Sequence, residues 1–260
     1  PNTAGLAVST TYYIAVRHKG TTYGWGGYAY STFTTASQFV PTVAGTVYEG
    51  GFYAGRIVIS GLTYALIVSP KVSGNTTKQW KTTNDSSPGT LSVNDGLSNS
   101  NAMNNANHPA AQFCRGLTIA SKSDWYLPSR DELEVCYRNL KPTTASNTVY
   151  ASRLASWGVS AGTYNGVDGQ GNGDNDYSVD ASGAYNGVAY TASSPAQTAA
   201  TAFQAGGTEC FDTTWYWAAT EFNASNAWGQ YFGGGTQFLN GTSGLKGNTY
   251  SVRAVRKVLI

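Results

Sequence analysis

The chain has 260 residues, a formal net charge of +2 and only 12% charged residues. So few charges argue against nucleic acid as the main partner, because phosphate binding needs clustered Lys and Arg. No apolar run approaches the roughly 18 residues that cross a bilayer, so membrane insertion is not expected. The 18 Tyr, 7 Trp and 31 Gly are typical either of loop-rich recognition surfaces or of a β-rich fold with many turns.

The first predicted element is a β-hairpin over about residues 11–35. Bulky and polar residues alternate there around a glycine-containing turn, with Tyr13 and Arg17 on one face and Tyr12 and Val16 on the other. The segment resembles the last two strands of a fibronectin type III module of phage tail proteins. The resemblance implies a partial module over residues 1–38, which a linker over residues 39–50 follows. Because a lone hairpin is marginally stable in water, we expect it to pack on another surface, such as a neighbouring subunit.

The next segments alternate between strand and loop patterns. Two β-rich runs joined at Ser60-Gly61 predict a second hairpin. Residues 75–107 are rich in Asn, Ser, Thr and Gly, which predicts a long surface excursion. Residues 158–192, of similar composition, predict an extended loop.

Helix signals follow in the middle of the chain. Pro109 is suited to the first position of a helix. Ser129 and Glu132 form a capping box that starts an amphipathic helix over about residues 130–140. A further helix is expected from Ser194-Pro195 through Phe203. The last sixty residues return to strand-like patterns, so we predict an α+β domain of about 215 residues.

Catalytic signatures are weak in this sequence. There are two histidines, and no GxSxG, HExxH or P-loop motif. Three widely spaced cysteines favour neither a zinc site nor a disulfide framework. They leave two readings open, either one Cys114–Cys136 disulfide or three buried thiols, the third being Cys210. The sequence therefore predicts a protein that is not an enzyme.

One segment has the oxygen-rich pattern of a calcium loop, "DGQGNGDNDYSVD" over residues 168–180. Asp168, Asn172 and Asp174 alternate with glycine, as at the start of such a loop. The twelfth position is Val179 instead of a bidentate acid, which excludes an EF-hand. Both a looser Ca²⁺ site and a solvated turn fit the segment. Apart from this Ca²⁺, no cofactor is expected.

Three stretches together carry a family resemblance. They are "DWYLPSRDELEVCYRNLKP" from Asp124, "YWAATEFNASNAWGQYFGGGTQ" from Tyr216 and "YSVRAVRKV" from Tyr250. Their order resembles the Lcl C-terminal domain family, found at the tips of phage tail fibres and on bacterial surface proteins. The last part also resembles the variable region of retroelement-diversified C-type-lectin-like proteins. The resemblance implies a C-type-lectin-like domain with long loops, which we assign to residues 51–260.

Strand periodicity predicts which residues in this region face a ligand. Alternation over residues 228–233 places Trp228, Gln230 and Phe232 on the core face and Tyr231, between glycines with open space around its ring, on the other. Exposed aromatic rings suit sugars, because the C–H faces of a sugar pack on them. The receptor-contacting residues predicted in this way are Asn223, Asn226, Tyr231, Gln237 and Phe238.

Two arginines of the last strands, Arg253 and Arg256, are expected to be structural and to pair with Glu221.

The resemblance implies a function in host attachment. It indicates the distal part of a phage tail fibre or tail-tip protein, located in the virion with other tail proteins. Such a protein would bind a host surface glycan or an outer-membrane protein non-covalently. A homotrimer is expected, because weak single sites gain from multivalency. The alternatives are a bacterial surface adhesin of the Lcl type that binds host glycans, and a structural virion decoration protein without a receptor.

Overall fold

The computed structural model describes residues 10–20, 24–34, 39–147, 178–179, 190–237 and 244–260. These residues fall into two units that divide between Val40 and Pro41. The strands are β1 (Thr11–Gly20), β2 (Gly24–Thr34), β3 (Val47–Tyr48), β4 (Gly51–Ile59), β5 (Leu62–Val68), β6 (Asn75–Gln79), β7 (Ser178–Val179), β8 (Trp215–Glu221), β9 (Ala227–Tyr231), β10 (Thr249–Arg253) and β11 (Val255–Leu259). The helices are α1 (Lys71–Gly74), α2 (Gly96–Ala102), α3 (Pro109–Arg115) and α4 (Arg130–Leu140), with a 3₁₀ turn at Thr201–Phe203. Within these described ranges, no helix is both long and apolar enough to cross a membrane.

The first unit is an antiparallel hairpin of β1 and β2, which confirms the hairpin predicted near residues 11–35. Arg17 pairs with Tyr28 in the register, and an irregularity follows before Lys19. The Arg17 guanidinium lies 4.4 Å from the ring centroid of Trp25. Tyr13 and Tyr28 are exposed, as is Trp25. That this hairpin packs on a neighbouring subunit stays a prediction.

The second unit begins with a sheet in the order β11-β5-β4-β3, to which β7 adds by pairing with β4. Ser60 and Gly61 both have positive φ, 52° and 79°, as in the type I′ turns that join tight hairpins. The second predicted hairpin is therefore confirmed. The expected linker over residues 39–50 is in part built into this sheet. Val47 pairs with Phe52, and the Gly45 amide donates to the Tyr53 carbonyl at 2.8 Å.

The second sheet has the order β6-β10-β8-β9. Strand β8 is antiparallel to β9 and parallel to β10, and β10 is antiparallel to β6. Strand β6 and helix α2 both lie in residues 75–107, so the expected surface excursion is wrong for this part. Trp80, which follows β6, is fully buried and donates from Nε1 to the Ala218 carbonyl at 2.7 Å. Burial of this indole fixes the segment to β8.

Helix α4 starts where the sequence predicts it. The Ser129 hydroxyl accepts from the Glu132 amide, and the Glu132 carboxylate accepts from the Ser129 amide at 2.7 Å, which closes the capping box. Helix α4 contacts β4, β8 and β9. Its Tyr137 ring lies edge-on to Phe232, with 5.5 Å between centroids, and Phe232 stacks on Phe211 at 4.1 Å. The expected helix after Ser194-Pro195 is wrong, since only the 3₁₀ turn near Phe203 forms.

The structure decides between a Cys114–Cys136 disulfide and free thiols. Cys114, Cys136 and Cys210 are all free, so no Cys114–Cys136 disulfide is present. The first two are buried, and burial raises the pKa of both thiols. Cys210 is only half-buried.

The two C-terminal arginines hold loops together, but not through Glu221. Arg253 pairs with Glu209 at 2.9 Å. Arg256 makes a two-pronged contact with Asp124, at 2.7 and 2.9 Å. Their expected partner Glu221 pairs with a lysine instead, so the predicted pairing is wrong.

That lysine, Lys246, places a buried ammonium group between two loops. Its Nζ donates to the carbonyl oxygens of Asp85 and Ala224, both at 2.8 Å, and lies 3.1 Å from the Glu221 carboxylate. It also sits 4.9 Å from the ring centroid of Trp80. Burial lowers the pKa of Lys246, and the ion pair with Glu221 opposes that shift.

Candidate binding face

Two partly exposed aromatic side chains meet at one end of the second sheet, on the face opposite Tyr216. Trp215 on β8 stands directly opposite Tyr231 on β9, and opposed residues of antiparallel strands share a face. Their ring centroids are 5.5 Å apart with 42° between the planes. Tyr216, between Trp215 and the next outward residue, belongs to the core cluster. Trp215 and Tyr231 are both half-buried, so each residue keeps some surface exposed.

A second aromatic pair continues this face toward β10. Trp217 and Tyr250 lie edge to face, with centroids 4.8 Å apart and 66° between the planes. Trp217 is fully buried, whereas Tyr250 is half-buried. The Trp217 indole donates to the Lys78 carbonyl of β6 at 3.1 Å. We call Trp215, Trp217, Tyr231 and Tyr250 the aromatic face.

Behind the aromatic face, a buried polar network fixes β9 to α4. The Gln230 amide donates to the Glu134 carboxylate at 2.8 Å, and the Tyr190 hydroxyl donates to the same carboxylate at 2.7 Å. Arg138 forms an ion pair with Glu134 at 2.7 Å. Burial and the neighbouring carboxylate raise the pKa of Tyr190 well above its usual value, so it stays a donor. Such fully paired networks make the strand that carries Tyr231 rigid.

The glycine run after β9 allows two close approaches. A Cβ on Gly233 would lie 2.5 Å from the Tyr231 ring. Gly235 has a φ of +80°, and a Cβ there would collide with the rings of Tyr137 and Tyr190. The predicted open space beside Tyr231 is thus wrong on the Gly233 side, because the tyrosine ring itself lies against the glycine.

The predicted contact residues do not form one patch. Tyr231 belongs to the aromatic face, but Asn223 lies in the turn at the other end of β9, about 14 Å away by the rise of a strand. Asn223 is exposed, and its side chain accepts from the Asn226 amide at 2.8 Å. Asn226 is only 7% exposed and Gln237 only 4%, so neither presents a surface to a receptor. Phe238 lies outside the described residues.

Gln237 is buried because the chain folds back after the glycine run. It forms a bridge with Gln230, and its amide donates to the Arg130 carbonyl at 2.8 Å. Gln237 therefore stabilises the scaffold below the aromatic face.

Sequence reasoning missed Trp215 and Tyr250 as site residues. The two-residue spacing of Trp215 and Trp217 was a usable signal, because it places both indoles on the same strand face. The partner of each indole depends on strand register and sheet order, which the local pattern does not contain.

Elsewhere in the second unit, two hydrogen bonds join the side chains of a serine, a histidine and an asparagine. Ser87 Oγ is 2.9 Å from His108 Nε2, and His108 Nδ1 is 2.9 Å from Asn105 Oδ1. The spacing matches a nucleophile, a base and an orienting group. However, Ser87 is only 4% exposed, and its amide, which would face an oxyanion, donates to Glu221 at 2.6 Å. Burial lowers the pKa of His108 to about 4, so the ring is neutral at pH 7.

The predicted calcium ligands Asp168, Asn172 and Asp174 lie outside the described residues. In the part of the chain that the structure does describe, no group of three His, Cys, Asp or Glu side chains could hold a metal ion.

No protein-family model matches the chain. Curated proteins and solved structures likewise gave no match. The fold is a mixed α+β arrangement, rich in strands and with few helices, as the sequence predicts at that level.

Proposed function

We propose that this protein is a receptor-binding module that holds a host surface glycan non-covalently on its aromatic face. The observation that carries the proposal is the Trp215–Tyr231 pair, two half-buried rings 5.5 Å apart on a braced strand pair. Sugar rings pack their C–H faces on aromatic rings of this kind. Such packing is a non-covalent contact and is the basis of the proposed binding role.

The biological setting follows from the sequence resemblance. A C-type-lectin-like module that resembles the Lcl C-terminal family belongs at the distal end of a phage tail fibre or tail tip. In this setting the module is part of the virion, next to other tail proteins, and works as a homotrimer. Three weak glycan sites on one fibre end give the avidity that adsorption needs.

The proposal is tested by replacing one indole. Trp215→Ala should weaken glycan binding at least tenfold, since central aromatic anchors contribute about 2 kcal/mol and 1.4 kcal/mol is a factor of ten. The measurement is titration against an array of bacterial surface polysaccharides and animal glycans. Val72→Ala is the matched control, because Val72 is 93% exposed. Circular dichroism verifies that both variants fold.

A second variant separates the two ends of β9. Asn223→Ala alters only the turn and should leave glycan affinity unchanged. Equal loss in the Asn223 and Trp215 variants would move the site away from the aromatic face. Selection of animal glycans by the array would favour the bacterial adhesin. Binding to none of the glycans would favour the structural virion protein.

A further inference from the structure

A lysine borders the aromatic face on the side of β6. Lys78 stands directly opposite Tyr250 in the antiparallel β6–β10 pair, so both side chains lie on the same face of the sheet. Its own carbonyl accepts the Trp217 indole hydrogen bond. Lys78 is therefore the neighbour of the second aromatic pair.

Lys78 also lines a cleft between β6 and α3 with a volume of about 360 Å³. This volume is within the range of about 300–1,000 Å³ typical of small-molecule sites. Three of the other lining residues are apolar, Phe113 among them, and Gln112 is a further polar residue. The complete lining is Lys78, Pro109, Gln112, Phe113, Gly116 and Leu117. This open cleft shares Lys78 with the edge of the sheet beside Tyr250.

The charge of Lys78 is not used inside the protein. Among the described residues, it has no carboxylate or carbonyl partner, and no acidic side chain lines the cleft. The other lysines of the second unit each hold an acidic or carbonyl oxygen. They are Lys71, Lys81, Lys122, Lys141, Lys246 and Lys257. An unpaired ammonium group on a residue that lines this cleft is available to an anionic ligand.

We propose that this cleft is a subsite for an acidic sugar, a uronic acid or another carboxylated residue of the glycan on the aromatic face. The carboxylate accepts from the Lys78 ammonium, the Gln112 amide bonds a hydroxyl, and the sugar ring packs on Phe113. A single ammonium balances the single charge of a carboxylate, whereas a phosphate monoester carries nearly two charges. The inference rests on the proposed function, because the neighbouring sugars occupy the aromatic face.

The test compares matched glycans and variants. An array presents neutral oligosaccharides, their uronic acid counterparts with the same linkages, and sulfated and phosphorylated forms. The unmodified protein should bind uronic acid members about tenfold more tightly than neutral ones, as one charge-assisted hydrogen bond implies. Lys78→Met should lose this preference but still bind the neutral members, and Lys78→Arg should retain it. Thr77→Ala, at the exposed neighbouring position, is the control.

The outcomes separate the subsite from the proposed function. Equal binding of neutral and uronic members, with both lost in Trp215→Ala, overturns the subsite and leaves the aromatic face in place. Preference for sulfated or phosphorylated members overturns the assignment to a carboxylate. If no glycan of any class is retained, both proposals fall.

Discussion

Replacing Glu134 with leucine should destabilise the second unit by about 5 kcal/mol or more. The carboxylate is buried and accepts from Arg138 at 2.7 Å, from Tyr190 at 2.7 Å and from Gln230 at 2.8 Å. Removing one partner of a buried ion pair costs about 3–5 kcal/mol, and each further stranded donor adds about 1–3 kcal/mol before relaxation. The total approaches the whole stability of a typical domain.

The assay is urea unfolding followed by tryptophan fluorescence, with the m-value as a check on two-state behaviour. Glu134→Gln keeps one acceptor and should cost about 2 kcal/mol. The double variant Glu134→Leu with Arg138→Met should recover part of the loss, because it also removes the stranded cation. Lys122→Ala breaks a more exposed ion pair and should cost less than about 1 kcal/mol. A loss below about 1 kcal/mol for Glu134→Leu would refute the bracing role of the network.

Two further predictions concern a glycine and the pH dependence of stability. Gly235→Ala should lower the free energy of unfolding by about 2–4 kcal/mol, because it adds a collision with Tyr137 to the cost of a positive φ. The control is Gly206→Ala, which should cost about 1 kcal/mol because Gly206 also has a positive φ but has open space around it. Equal losses in the two variants would contradict the collision. Burial lowers the pKa of His108 to about 4, so its stabilising contribution is complete above about pH 6.5 and is lost as pH falls toward 4. Burial raises the pKa of Glu132 to about 7. The pH dependence is therefore opposite to that of His108, because the stability that Glu132 contributes is lost as pH rises through 7. Urea titrations at pH 7 and pH 5 should therefore show that His108→Gln loses about 2 kcal/mol less stability than the unmodified protein over this interval; an identical loss would argue against a neutral His108.

The parts of the fold that the sequence predicted correctly depend on local chemistry. A capping box needs only Ser129 and Glu132 at the right spacing, and the helix begins there. The hairpin at Ser60-Gly61 likewise needs only two residues that accept positive φ. Neither feature requires knowledge of distant contacts, so a single sequence is sufficient.

The surface excursion predicted for residues 75–107 is wrong in part because some of its polar residues bond to the interior and not to water. Asn99 is fully buried, and its amide donates to the Ser92 carbonyl at 2.6 Å. Ser100 is also buried and donates to the Leu127 carbonyl at 3.1 Å. Composition does not distinguish a polar residue that is solvated from one that is satisfied inside the protein. Trp80 and Met103, both fully buried, were apolar signs of burial in this segment.

The candidate site was predicted only in part, for a related reason. Strand alternation correctly placed Gln230 and Phe232 inward, where both are fully buried. It did not reveal that the chain turns back after the glycines and buries Gln237. It also gave no partner for Trp215, because that partner is set by the register across the turn. Periodicity predicts which side chains share a strand face, but the pairing of strands decides which side chains lie next to each other.

The buried ammonium of Lys246 makes the position of two loops independent of the ions in the medium. Carbonyl and carboxylate oxygens gather around it, in the manner in which oxygen ligands surround a bound metal ion in other proteins. Here the positive charge is covalently attached to the chain, so dilution or a chelator does not remove it. The loops that contain Asp85 and Ala224 are thus held in place from the moment of folding, in media rich or poor in divalent ions.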